Sequence, residues 1–182
     1  MKPLYIIILI IIIILIFTIW YIITSNKLNK ALIRIDGAIS GIDIALEKRY
    51  DVLTEMAKIV KAYSKYEKEI ILETISLRKD MSINEKSETN KVMDESYQKI
   101  NAVAEAYPEL KANENFKILQ KAIMDVEEHL QAARRIYNSN VSTYNQLIVT
   151  FPTNTIAKKK GMTKKDFFKA EETKKENAKI KL

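Results

Sequence analysis

No cysteine occurs in the chain, so disulfides, thiol nucleophiles and thiolate metal sites are all excluded. A single histidine cannot supply a His-based zinc centre. Three glycines and three prolines leave little material for turns, which argues against a many-stranded sheet and for long helices. No Gly-rich phosphate loop exists, and the aromatics follow helical spacing rather than forming a platform on which bases could stack. These absences predict no catalytic residue, no cofactor, no metal and no nucleic-acid partner. The net charge of +7 fits that reading once it is located. Residues 156–182 hold ten Lys against four acidic residues, so most of the excess sits in a tail rather than on a folded basic face.

What is present begins with "LYIIILIIIIILIFTIWYII", Leu4 to Ile23, a run without one charge. Twenty helical residues at ~1.5 Å each span a hydrocarbon layer of ~30 Å. Isoleucine favours strands in water, but in lipid an unpaired backbone group has no water to turn to, and a helix pairs them all. Tyr5 lies near one end and Trp20 and Tyr21 near the other, where amphipathic rings prefer the interface. A cleaved signal peptide has an apolar region of roughly 7–15 residues ending at spaced small residues. The run here is longer and "IITSNKLNK" offers no such site. Residues 1–25 are therefore expected to be a retained single-pass anchor. Lys27, Lys30 and Arg34 come just after it while Lys2 precedes it, which favours a cytoplasmic location for the carboxyl-terminal domain.

Residues 26–155 read as a helical bundle. Leu28, Leu32, Ile35, Ile39, Ile42 and Leu46 are spaced by four and three, a heptad seam that Tyr50, Leu53, Ala57 and Val60 extend. The seam falters at Ser64 and Glu67, then resumes through Ile70, Ile71, Ile75 and Leu77. Gly37 and Gly41 form a small-xxx-small pair outside the apolar span, read as a thin spot in helix packing rather than a lipid-facing dimer motif. Ser82 with Glu85 predicts a capping box opening a second helix to about Ala106, with Val92, Ile100 and Val103 inward. Pro108 stops that helix, and Asn113 caps a third. Phe116, Leu119, Ile123, Val126, Leu130, Ala133, Tyr137, Val141, Tyr144, Ile148 and Phe151 then repeat at three and four until Pro152. The fold class is all-α: a transmembrane helix followed by an antiparallel bundle of three to four long helices. Residues 156–182 are expected to be a Lys-rich, partly disordered tail, with binding of anionic lipid as the alternative.

The ordered series "IDIALEKRYDVL", "VKAYSKYEKE", "EAYPELKANENF", "ARRIYNSNVSTYN" and "FP" followed by "FFKAEE", after an amino-terminal span, resembles the LemA family of bacterial membrane proteins. The resemblance implies an anchored helical bundle in the bacterial inner membrane without an established biochemical activity. The chain departs from the family pattern at Thr54, where a proline is often found, and at Ile39, near which a tryptophan is common.

Two constellations stand out. His129 and Asp125 are four residues apart, and read as an exposed helix-face pair. Val126 stands where a di-iron E-x-x-H motif needs a carboxylate. Arg134 and Arg135 precede a Tyr–Asn pair, Tyr137/Asn138, that returns seven residues later as Tyr144/Asn145. Asparagine beside a seam fixes register, and the repeated strip is also a candidate partner face. The expected function is a non-enzymatic scaffold or adaptor for other membrane or envelope proteins, with homo-oligomerisation an option. The alternatives are a membrane-tethered coiled-coil structural protein and a metal-independent hydrolase.

Overall fold

The computed structural model describes residues 2–63, 77 and 81–169 of the 182. The phase slip expected at Ser64, the helical pattern expected through Ile70, Ile71 and Ile75, and the tail beyond Lys169 lie outside the described residues. Five α-helices and no strands make up the described secondary structure: α1 (Lys2–Tyr63), α2 (Ile83–Ala106), α3 (Pro108–Ala112), α4 (Glu114–Val149) and α5 (Thr153–Lys159). The fold is all-α, as composition and periodicity predict.

The apolar run and the heptad seam are one helix. From Leu4 to Ile23 the large side chains of α1 stand exposed, except the half-buried Trp20, and the helix is long and apolar enough to cross a membrane. Burial begins at Thr24, 5% exposed, and continues through Leu28, Ala31, Ile35, Ala38 and Ile42, all at 9% or less. The fully covered line thus runs through alanines, while Leu32 and Ile39 are half-buried at its edge. A methyl side chain lets a neighbouring helix approach closely, so the seam sits slightly rotated from the line of largest residues. Gly41 points the same way: a Cβ built there meets the Ala133 Cβ of α4 at 3.9 Å, whereas one on Gly37 meets nothing. Thr54 lies in unbroken helix, its hydroxyl donating to the Tyr50 carbonyl at 2.8 Å.

Local signals set the ends of the other helices. Ser82 and Glu85 form the reciprocal capping box of α2, the Ser82 N–H donating to Glu85 Oε2 at 2.7 Å and the Glu85 N–H to Ser82 Oγ at 3.3 Å. Pro108, lacking an N–H, takes the first position of the short α3, and Asn113 caps α4 by accepting the Phe116 N–H at 3.1 Å. Phe116 is fully buried and Tyr107 half-buried. The helix α4 ends before Pro152, so Phe151, which continues the apolar series in the sequence, leaves the helical phase and stands 80% exposed.

Contacts gather the chain into two compact units, one made of 1–37 with 139–165, the other of 38–138 with 166–182. In the second unit, Asp43 pairs with Lys86 and Arg49 with Asn90 and Asp94, so α1 and α2 run in the same direction there. Gly41 opposite Ala133, Arg49 beside Glu127 and Tyr63 bonded to Asn113 make α4 antiparallel to α1. In the first unit, Asn140 donates to the Arg34 carbonyl at 3.1 Å and Lys160 to Asn29 at 3.2 Å.

Candidate functional site

The Tyr–Asn repeat acquires an occupant from its own chain. Seven residues are two helical turns, so Tyr137 and Tyr144 both fall on the buried stripe of α4, at 2% and 1% exposure, with Asn138 and Asn145 at its margin. Past α5 the chain turns at Gly161, whose φ of 65° is the left-handed conformation that glycine adopts freely. The Met162 N–H bonds the Ala157 carbonyl and the Gly161 N–H bonds that of Lys158, both at 3.0 Å, which is the Schellman pattern of helix termination. Beyond this turn the backbone is non-helical and meets the asparagines.

In the first unit Asn145 Nδ2 donates to the Lys165 carbonyl and Asn145 Oδ1 accepts the Lys165 N–H, both at 2.9 Å. In the second unit Asn138 does the same to Phe168, donating at 3.1 Å and accepting at 2.9 Å. A carboxamide carries a donor and an acceptor in the geometry of a peptide group, so each asparagine replaces a missing strand neighbour for one residue.

The remaining residues of the strip divide clearly. The Tyr137 hydroxyl donates to the Asp166 carbonyl at 2.8 Å; burial raises its pKa, and the Asp166 charge raises it further. Burial raises that of Tyr144 as well. The Arg134 guanidinium lies 4.8 Å from the centre of the Phe168 ring, a cation–π contact over a side chain only 3% exposed. Arg135 and Phe167 face outward, and Lys169 bonds back to Ser87. His129 and Asp125 are both exposed.

A second polar assembly has no counterpart in the apolar pattern. Arg49, 3% exposed on α1, donates through Nη1 to Asn90 at 2.5 Å, pairs through Nη2 with Asp94, and lies 3.2 Å from Glu127 Oε2 on α4. Asn90 donates in turn to Asp94 at 3.1 Å. Lys86, also buried, pairs with Asp43. The inward line of α2 is accordingly Lys86, Asn90, Met93, Ser96, Ile100 and Ala104, with Val92 and Val103 only half-buried. The planar guanidinium meets several oxygens at once, so this cluster joins three helices. A nearby cavity of about 520 Å³ is lined by Asp43, Glu47, Tyr50, Asp51 and Lys86 among others. Its carboxylates follow one face of α1, and Glu47 and Asp51 are exposed rather than sequestered as an acid–base pair requires.

Residues 38–182 match the sequence profile of the LemA family. The chain belongs to the LemA family. It is also 28% identical over 162 residues to the Protein LemA of Metamycoplasma hominis, an alignment covering 86% of this chain and 74% of that protein. Three of the stretches that resemble the family carry contacts described above. "IDIALEKRYDVL" carries Asp43 and Arg49, "ARRIYNSNVSTYN" the strip on α4, and "FFKAEE" opens with the exposed Phe167 and the buried Phe168.

Proposed function

We propose that this LemA-family chain is a non-enzymatic scaffold, anchored in the bacterial inner membrane and presenting helical faces to other membrane or envelope proteins. The observation that carries the reading is the continuity of α1 from Lys2 to Tyr63. A charge-free segment of bilayer length and the start of the packed seam lie on one helix, so the chain passes from the span into packed residues without leaving the helical conformation. The buried charges support a structural role, because Arg49 and Lys86 are neutralised in cross-helix pairs. Exposed Ile118, Met124 and Ile136 on α4 offer apolar contact points on the body. The body lies on the cytoplasmic side in this reading, since Lys27, Lys30 and Arg34 come soon after the span.

The test is crosslinking in intact membranes from photoreactive residues placed at Ile118, Met124 and Ile136. The expected result is the same heterologous membrane or envelope protein captured repeatedly from Ile118 and Ile136, which are about five helical turns apart on one face, with Met124 reporting on the opposite flank of α4. Capture of lipid alone, or of this chain alone, defeats the scaffold reading. Protease treatment of sealed cells checks the side: a cytoplasmic body stays intact until the membrane is opened.

A further inference from the structure

The unit that contains the span also contains the protein's whole positive excess. Residues 1–37 and 139–165 hold nine of the thirty basic residues and one of the twenty-three acidic ones, Asp36. The other unit is left with twenty-one basic and twenty-two acidic residues, close to neutral. Folding produces this partition, because it brings Lys158, Lys159, Lys160, Lys164 and Lys165 into the same unit as Lys27, Lys30 and Arg34.

The geometry within this unit places the charge at the end of the apolar run. Lys159 Nζ lies 5.7 Å from the centre of the Tyr21 ring, and Lys160 reaches Asn29. Ile156 and Ala157 bury the other face of α5, which leaves Lys158, Lys159 and Lys160 exposed together. The Asn140–Arg34 bond sets the register of α4 on α1. Nine residues after Asn140 is Val149, the last of α4, and nine before Arg34 is Ser25, so α4 ends close to the end of the apolar run, with Phe151 two residues further on. There it is 80% exposed, with Val149 at 54%. An exposed aromatic ring in the same unit as exposed lysines near the end of the run suits a bilayer interface, where rings sit among headgroups and lysines reach phosphates.

We infer that the α4–α5 corner is a second membrane-binding site, in which Phe151 and Val149 enter the interface while Lys158, Lys159 and Lys160 bind anionic lipid headgroups. The inference rests on the membrane-anchor reading, and goes beyond it by giving the body its own grip on the lipid surface. Anionic headgroups attract each nearby lysine by roughly fivefold, so three together shift the docked-to-undocked ratio on the order of a hundredfold.

The absence of native cysteine permits a clean test on the full-length chain. A bimane fluorophore is attached to Phe151→Cys, and in a separate sample to Ile14→Cys in the middle of the run. Both are reconstituted into phosphatidylcholine vesicles with and without phosphatidylglycerol, carrying a spin-labelled lipid quencher. The Ile14 label is expected to be quenched in both. The Phe151 label is expected to be quenched strongly with phosphatidylglycerol and weakly without, and to lose quenching in high salt or on Lys158→Gln/Lys159→Gln/Lys160→Gln. Inorganic phosphate added at constant ionic strength distinguishes a lipid site from a phosphate site, and should leave the quenching unchanged. An unquenched Ile14 label overturns the anchor and this inference together. A quenched Ile14 label with a solvent-exposed Phe151 label overturns this inference alone, as does Phe151 quenching indifferent to lipid charge, salt and the lysines. Quenching abolished by free phosphate overturns the lipid assignment.

Discussion

The two units of this chain use charge in opposite ways. The unit of 38–138 and 166–182 is nearly neutral and buries two charges among its described residues, Arg49 and Lys86, both under 5% exposed and each matched to carboxylates on another helix. The unit of 1–37 and 139–165 leaves its lysines exposed, and buries apolar residues such as Leu28, Ile35, Val141 and Ile148 instead. Internal charge fixes which helices meet and in what register, since an unpaired buried charge is costly. External charge of one sign leaves the packing alone and selects a surface outside the protein. One sequence thus contains a specificity device and a docking device, built from the same residue types.

The contrast is broken most severely at Arg49. Arg49→Met is expected to destabilise the folded body by about 3 kcal/mol, toward the lower end for a broken buried pair because Asp94 and Glu127 retain about a quarter of their exposure. Chemical denaturation followed by circular dichroism in detergent measures it, with Lys30→Gln as a reference expected to change stability by less than about 0.5 kcal/mol. A next, smaller effect is expected at Asn138. Asn138→Ala removes both bonds to Phe168, at about 1 kcal/mol each. Exchange of the Phe168 amide with deuterium should quicken accordingly, and trypsin should cleave faster after Lys169.

Two glycines give effects of about 1 kcal/mol with opposite signs. Gly161→Ala forces a side chain into left-handed backbone and should lower stability, whereas Gly37→Ala fills open space in mid-helix and should raise it. Equal signs in thermal unfolding would show that one of the two positions is misread. The smallest expected effect is a pH dependence. The Tyr137 pKa is raised in the folded protein, so above pH ~10 the unfolded chain loses that proton first. Stability from this group is complete below pH ~10 and falls as pH rises toward the folded pKa. Tyr137→Phe should lessen the fall, measured by urea unfolding across the alkaline range.

Much of this fold is written locally. The apolar run, the capping box at Ser82 and Glu85, the stop at Pro108, the cap at Asn113 and the stop at Pro152 each depend on residues within a few positions. The seam of α1 was legible in period but displaced in centre, because Ala31 and Ala38 pack closely without announcing themselves as large apolar residues. The cluster around Arg49 was not legible. Its partners lie 41, 45 and 78 positions away, and polar residues give no signal in a pattern of hydrophobicity. The Tyr–Asn repeat was visible as a strip, but its occupant was hidden in a Lys-rich segment that composition groups with the solvated tail. Backbone bonds from Asn138 and Asn145 hold that segment, and composition says nothing of those.

The most direct test of the account tracks α1 across its change of surroundings. Single cysteines from Ile14 to Arg34 in the full-length chain, in native membranes, are reacted with a water-soluble maleimide. Labelling is predicted to be absent to about Ile23, then to appear with a period near 3.6, strong at Asn26, Lys30 and Arg34 and weak at Thr24, Leu28 and Ala31. Uniform labelling before Ile23, or labelling without period after it, would contradict a single unbroken helix that leaves the lipid and enters the packed body.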